Sequence, residues 1–169
     1  MMNYCAVIVL ACGQGKRFGG EIPKQYIKIG NDSVLNHSLK KFTDIKNIHL
    51  IQPVINKAHA DLYNKTELKD KTGKLLKPIF GGRTRQDSVR NALESIKHKN
   101  IKWVLVHDGV RPNISKELIN KLLIELHNGA SGVIPTVEVV DTIKKINIEK
   151  KIYQNISRNN LHMIQTPQG

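Results

Sequence analysis

Acidic residues are scarce in this chain: 14 Asp and Glu stand against 27 Lys and Arg among 169 residues, a formal charge of +13. Aromatics are scarcer still, at 5%, with a single Trp. There are two cysteines, Cys5 and Cys12, both inside one apolar run. Two such residues make neither a disulfide framework nor a zinc site. Buried free thiols in a reducing cytoplasm are the expectation. Long apolar runs are missing too: the longest, residues 4–12, falls well short of the roughly 20 residues that span a bilayer. It begins almost at the N-terminus with no basic leader, so neither a signal peptide nor a membrane anchor is expected.

A shortage of acid invites a nucleic-acid reading. Its distribution argues otherwise. Residues 1–50, 51–100 and 101–169 carry +4, +6 and +3, a general excess without a basic tail. Lys, Ile and Asn number 21, 21 and 15, about a third of the chain and the residues that AT-rich codons favour. Much of the lysine is therefore read as solvated surface. A basic nucleic-acid-binding module would be retained on DNA or RNA with a steep salt slope. Of the few aromatics only Tyr4, Tyr26 and Trp103 fall near the sheet motifs, and they suggest no stacking platform. The six arginines are different: Arg17, Arg83, Arg85, Arg111 and Arg158 lie within short motifs, and only Arg90 does not. Arginine presents a rigid fork of donors suited to phosphate.

What is plentiful is α/β alternation. Residues 4–11 form a continuous apolar, β-branched run, the pattern of a strand buried on both faces of a parallel sheet. A glycine-rich loop follows. A helix is expected over 33–42, capped by Asp32 or Ser33, then a strand over 48–55 with Pro53 marking an end or an edge. Residues 57–76 read as a short helix plus loop, and 77–80 as a short strand. Asp87 or Ser88 would cap the next helix, with Val89, Leu93 and Ile96 as its apolar stripe. A strand at 103–107, a helix capped by Ser115 and ended by Gly129, and a strand at 132–137 complete the order. The fold class is α/β: a Rossmann-like, mostly parallel sheet with helices on both faces. Residues 138–164 differ, with short β-like pieces and alternating charge, and are expected to form a β-rich arm. Residues 1–169 are read as a single, incomplete domain, because a loop signal such as Gln165-Thr166-Pro167-Gln168-Gly169 rarely ends one.

Three loops could carry chemistry. In an open α/β sheet, ligands sit beyond the carboxyl ends of the strands. The first loop runs Ala11-Cys12-Gly13-Gln14-Gly15-Lys16-Arg17, then Pro23-Lys24-Gln25. It fits neither a dinucleotide fingerprint, since Phe18 stands where the third glycine belongs, nor a Walker A loop. It is a phosphate loop of another kind, or a tight turn with exposed basic residues. The second, Gly81 to Val89, joins two glycines, two arginines and a helix start, which suits an anion or a base edge. An ordinary capped helix would look the same. The third is His107-Asp108-Gly109-Val110-Arg111-Pro112. Asp108 at a strand end is either a cap or a Mg2+ ligand beside bound phosphates. Arg111 is its ion-pair partner or a phosphate donor, and His107 is read as a satisfied core histidine. Polar residues at 141–144, 158–159 and 165–168 mean little by themselves.

Together, and in this order, the motifs resemble those of the 2-C-methyl-D-erythritol 4-phosphate cytidylyltransferase family, nucleotidyltransferases of glycosyltransferase-A-like fold. The resemblance rests on Ala11 to Arg17, Pro23 to Tyr26, Gly81 to Val89, His107 to Pro112, Asp141 to Lys144, Arg158 to Leu161 and Thr166 to Gln168. Cys12 departs from the family's alanine, and Gly109-Val110 from its pair of alanines. The resemblance implies transfer of CMP from CTP to methylerythritol phosphate, with ribitol 5-phosphate as the sister substrate. It implies catalytic roles for Arg17, Lys24 and Arg158. It implies a nucleotide side of Ala11, Cys12, Gly13, Gly15, Gly81, Gly82 and Ser88. Asp108, Arg111, Thr142 and Thr166 would serve the polyol phosphate, and Asp108 would stand near Mg2+. It further implies a homodimer in which the arm's Thr142 and Arg158 reach the partner's site. The family continues past Thr-Pro-Gln, in some members into a fused cyclodiphosphate synthase domain.

Overall fold

The computed structural model describes residues 4–13, 19–20, 22–66 and 68–169 of the chain. Strand β1 (Cys5–Ala11) is its axis, with every residue from Cys5 to Val9 fully buried. A small antiparallel ladder, β2 (Lys28–Ile29) and β3 (Asp32–Ser33), leads into helix α1 (Val34–Thr43). Then come β4 (Ile48–Ile55), α2 (Ala60–Thr66), β5 (Ile79–Phe80), α3 (Arg85–Ile96), β6 (Trp103–Asp108) and α4 (Lys116–His127). The sheet order is β5-β4-β1-β6, all parallel. Because successive side chains alternate across a strand, β1 divides its residues between two layers. Cys5, Val7, Val9 and Ala11 face a large core with Leu35, Leu39 and Phe42 of α1 and Ile119, Leu123 and Leu126 of α4. Ile8 faces a smaller one with Val54 and Ala92 of α3. Helices therefore cover both faces, as the apolar run of β1 requires. Among the described residues no helix is long and apolar enough to cross a membrane.

Local chemistry fixes the helix ends. The Ser33 hydroxyl accepts from the Asn36 amide at 3.1 Å, and Ser115 does the same for Leu118. Gly129, at φ 101°, lets the chain leave α4 in a conformation that a side chain would oppose. The cap of α3 differs from expectation. Thr84 is the N-cap, and Asp87 at the third helical position bonds back to it, a reciprocal capping box. The helix thus begins at Arg85, about one turn earlier than an Asp87 or Ser88 cap allows. Its buried stripe shifts accordingly to Ser88, Ala92 and Ile96, and Leu93 is exposed.

Pro53 also departs from expectation, standing inside an interior strand. It pairs with Val9 on one side. On the other side Ile51 bonds to Lys74 and Leu76, and β5 pairs only from Val54 onward. The missing proline N–H falls in that gap. The buried Gln52 amide bridges it, donating to the carbonyls of Pro53 and Lys77 at 3.0 and 2.9 Å.

Beyond α4 the expected strand at 132–137 is replaced by β7 (Thr136–Glu138), which pairs antiparallel with β10 (His162–Ile164) outside the central sheet. Between them β8 (Ile143–Ile146) and β9 (Ile152–Ile156) form a hairpin. No residue of 138–164 is buried in this chain, and Val140, Ile148, Ile152 and Tyr153 are among its exposed apolar side chains. After the arm the chain returns to the core. Gln168 and Val106 exchange both backbone hydrogen bonds, and so do Gly169 and Val133.

Candidate functional site

The carboxyl ends of β1, β4, β5 and β6 converge on one crevice. At the end of β1, Ala11 is buried, and the chain leaves through Cys12 and Gly13. The buried Gln25 amide donates to the carbonyls of Ala11 and Gly13 at 2.9 and 3.0 Å. This bond docks the 3-10 turn Lys24–Tyr26 against the glycine loop and sets Lys24 beside it. Lys24 is half-buried, and its ammonium has no carboxylate partner among the described residues. Gly15 and Arg17, both singled out in the sequence, lie outside the described residues. Burial pushes the Tyr26 phenol up to about 12, so it remains a neutral wall of the loop.

The second wall runs from β5 into α3. The Gly81 amide donates to the Ile55 carbonyl at the end of β4. The Ser88 hydroxyl accepts from the Gly82 amide at 3.1 Å, donates to the Thr84 carbonyl, and lies 3.3 Å from the Cys12 thiol. Space here is fully used. A methyl on Gly81 would stand 2.7 Å from Cys12 Cβ and 2.8 Å from Ser88 Oγ, and one on Gly82 2.3 Å from Asp87 Cβ. Both glycines serve close approach, and neither has a positive φ. Thr84's hydrogen bonds hold the Asp87 carboxyl below its ordinary value, so it stays ionised as the acceptor of the capping box. Gly82→Ala must therefore move the first turn of α3. The family resemblance puts the nucleotide against this wall, so the expected result is CTP affinity lowered about tenfold or more, which calorimetry will read.

The third wall is the end of β6. Asp108 is gripped from two sides, by Arg85 Nη2 at 3.3 Å and by Arg111 Nε at 3.1 Å. Arg111 Nη1 also donates to Gln165 at 2.7 Å. The Gly109 amide and carbonyl are held by the Leu10 carbonyl and the Ser38 hydroxyl, and a side chain there would press on Leu10 and Leu35. His107 is fully buried, and burial pulls its pKa down to about 4. It is a satisfied core histidine, bonded to Arg111 and Thr166. Thr166 stands behind Asp108 rather than open to the crevice, being 8% exposed.

The crevice thus gathers Ala11, Cys12, Gly13, Lys24, Gly81, Gly82, Ser88, Asp108 and Arg111, with Thr166 behind them. Thr142 and Arg158 stay in the arm: Arg158 Nη1 donates to the Val140 carbonyl, and neither side chain bonds to Asp108 or Arg111. The sequence assigned no role to Gln25 or Gln165, and read Arg85 as one of two arginines suited to an anion, not as a partner of Asp108. Arg85 stood in a quoted motif, but only its place one residue after the true cap, Thr84, aims it at Asp108. As for a metal, the described residues contain no group of three or more potential ligands. One carboxylate, Asp108, stands at the strand ends, with both oxygens already accepting from guanidinium groups. That donor set fits a magnesium ion carried mainly by a nucleotide's phosphates, not a protein cage.

A parallel sheet whose strand ends carry a glycine-walled cleft, two arginines and a lysine with no carboxylate partner among the described residues belongs to the α/β domains whose ligands sit beyond the strand ends. Residues 5–169 match the family model described as 2-C-methyl-D-erythritol 4-phosphate cytidylyltransferase (IspD), and the chain belongs to that family. It is 40% identical over 164 residues to the bifunctional enzyme IspD/IspF of Wolbachia pipientis wMel, covering 96% of this chain and 41% of that one. It is 38% identical over 170 residues to the 2-C-methyl-D-erythritol 4-phosphate cytidylyltransferase of Wigglesworthia glossinidia brevipalpis, covering 99% of this chain and 72% of that one. The fold matches the crystal structure of 4-diphosphocytidyl-2C-methyl-D-erythritol synthase from Anaerococcus prevotii DSM 20548 with a TM-score of 0.81 and 28% identity. That match covers 99% of this chain and 71% of the other. The chain therefore spans about two fifths of the length of the bifunctional relative.

Proposed function

We propose that this protein transfers CMP from CTP to 2-C-methyl-D-erythritol 4-phosphate and releases pyrophosphate, a step of the non-mevalonate isoprenoid pathway, in the cytoplasm. The observation that carries the proposal is the convergence of two unlike half-sites in one crevice. Gly81, Gly82, Ser88 and Cys12 make a close-packed, small-residue wall on which a flat base can lie. Asp108 and Arg111 make the opposite kind of surface: a carboxylate accepts from hydroxyls, and a guanidinium donates to phosphate. A polyol phosphate needs both.

In this reading a phosphate oxygen of the alcohol attacks the α-phosphorus of CTP in line, and the α–β bond to pyrophosphate breaks. No covalent enzyme intermediate is required, so the protein's work is positioning and charge stabilisation. The Lys24 ammonium, and Arg17 by family resemblance, meet the charge that grows on the phosphoryl oxygens. Ala11 and Gly13, and Gly15 by family resemblance, stand on the triphosphate side, where glycine lets the backbone approach closely. Among this chain's residues Asp108 would hold a magnesium ion brought in with CTP, and the ion would supply neutralisation of the triphosphate charge. Asp108→Asn should then raise the magnesium concentration needed for half-maximal rate several-fold. An unchanged magnesium dependence would show that Asp108 serves the arginines alone. The arm's exposed apolar residues are covered by a second copy of the chain, giving a homodimer whose Thr142 and Arg158 complete the partner's polyol-phosphate side.

The test of substrate is direct: pyrophosphate release from CTP with methylerythritol phosphate, and separately with ribitol 5-phosphate. The first should support far faster release. Equal or faster release with ribitol 5-phosphate would move the protein to the sister activity.

A further inference from the structure

Asp108 and Arg111 are held in place by more than their own ion pair. Behind them His107 lies fully buried, its ring edge-on to Phe42 at 5.1 Å. Its Nε2 is 3.1 Å from the Arg111 carbonyl oxygen, and its Nδ1 is 3.0 Å from the Thr166 hydroxyl. The two partners determine the ring's state. A carbonyl can only accept, so Nε2 carries a proton and donates. In a neutral imidazole Nδ1 is then bare and accepts, so the Thr166 hydroxyl spends its one proton there. With that proton committed, Thr166 Oγ1 turns its lone pairs toward Asp108, whose backbone amide lies 3.5 Å away. The Arg111 amide in turn donates to the Asp108 carbonyl at 3.0 Å. The ring thus joins the turn after β6, at Arg111, to the returning chain at Thr166, which lies 59 residues from His107 in sequence.

We infer that His107 is a positioning residue for the polyol-phosphate half of the site: its Nε2–H tautomer fixes the Thr166 hydroxyl and the Arg111 backbone, and through them the directions of the Asp108 carboxylate and the Arg111 guanidinium. It touches no substrate. The inference rests on the cytidylyltransferase reading for the identity of the ligand, and its size is taken by analogy with outer-shell partners at metal sites, whose loss costs about ten- to a hundredfold.

Calorimetry on wild type, His107→Phe and His107→Gln measures methylerythritol phosphate and CTP binding separately. His107→Phe keeps a ring of similar shape without nitrogens. It should bind the alcohol phosphate about tenfold more weakly and CTP as wild type does. Glutamine, whose amide can donate to the Arg111 carbonyl, should recover part of the loss. Alcohol-phosphate affinity unchanged in His107→Phe, or CTP affinity falling in parallel, overturns the inference. Wild type that binds methylerythritol phosphate but yields no product refutes the cytidylyltransferase reading and leaves this one standing. Should His107→Phe fold poorly, nitrogen-15 NMR of the wild-type imidazole decides. A protonated Nε2 and a bare Nδ1 at neutral pH are expected, and the opposite tautomer overturns the clamp.

Discussion

Lys24→Ala should lower kcat by about 10²–10³ while leaving the affinity for CTP nearly unchanged. The expectation follows from where the charge sits. Lys24 opens the short turn that Gln25 pins to the Ala11 and Gly13 carbonyls. Its ammonium is half-buried and has no carboxylate to neutralise it among the described residues. Such a charge is available to a phosphoryl group whose negative charge redistributes as the bond to pyrophosphate breaks. A ground-state role would appear as a raised KM for CTP, whereas a transition-state role appears in kcat. Steady-state kinetics of the variant separates the two. Near wild-type kcat would remove Lys24 from the chemistry.

Arg158→Ala should be comparably damaging, by about 10² in kcat/KM, because an arginine fork on a phosphate is lost whole. Among the described residues the Arg158 side chain bonds to the Val140 carbonyl and stays in the arm. The arm buries none of residues 138–164, yet it holds a hairpin, with one register shift between Lys145 and Ile146, and a second antiparallel ladder. A segment ordered this way without a core of its own is well served by a partner subunit. Mixing equal amounts of Arg158→Ala and Lys24→Ala proteins tests the shared site. Random exchange makes half the dimers mixed, and each mixed dimer has one site with both residues intact, so about a quarter of wild-type activity should return. If subunits exchange and no activity returns, Arg158 acts within its own chain.

The sheet was legible in the sequence because a doubly covered parallel strand leaves an unmistakable mark. The unbroken apolar run of β1 is that mark, and its alternate residues do face two layers. Pro53 misled because proline in an interior strand depends on a gap in the neighbouring ladder, and Gln52 fills that gap from another strand position. The start of α3 misled because Thr, Asp and Ser all cap helices. Thr84 won through the reciprocal bond from Asp87, which a residue list does not reveal. That one-turn difference hid Arg85 as a partner of Asp108. The strand expected at 132–137 was misplaced because the returning residues Gln168 and Gly169 take the position beside β6, leaving Val133 to pair with Gly169. At the site, the glycine pairs and strand-end acid were readable as motifs. The bond network of His107, Thr166 and Gln165 spans nearly 60 residues and needed the fold to bring it together.

The central claim is that one crevice joins CTP to an alcohol phosphate. Phosphorus-31 NMR of the protein with CTP, methylerythritol phosphate and magnesium tests it most directly. The account predicts that the alcohol phosphate and CTP resonances fall together while a new diphosphate diester and pyrophosphate rise in equal amounts, and that omitting either substrate stops all change. Conversion of CTP to CMP or CDP without the diester, or consumption of CTP that does not depend on the alcohol phosphate, would contradict it.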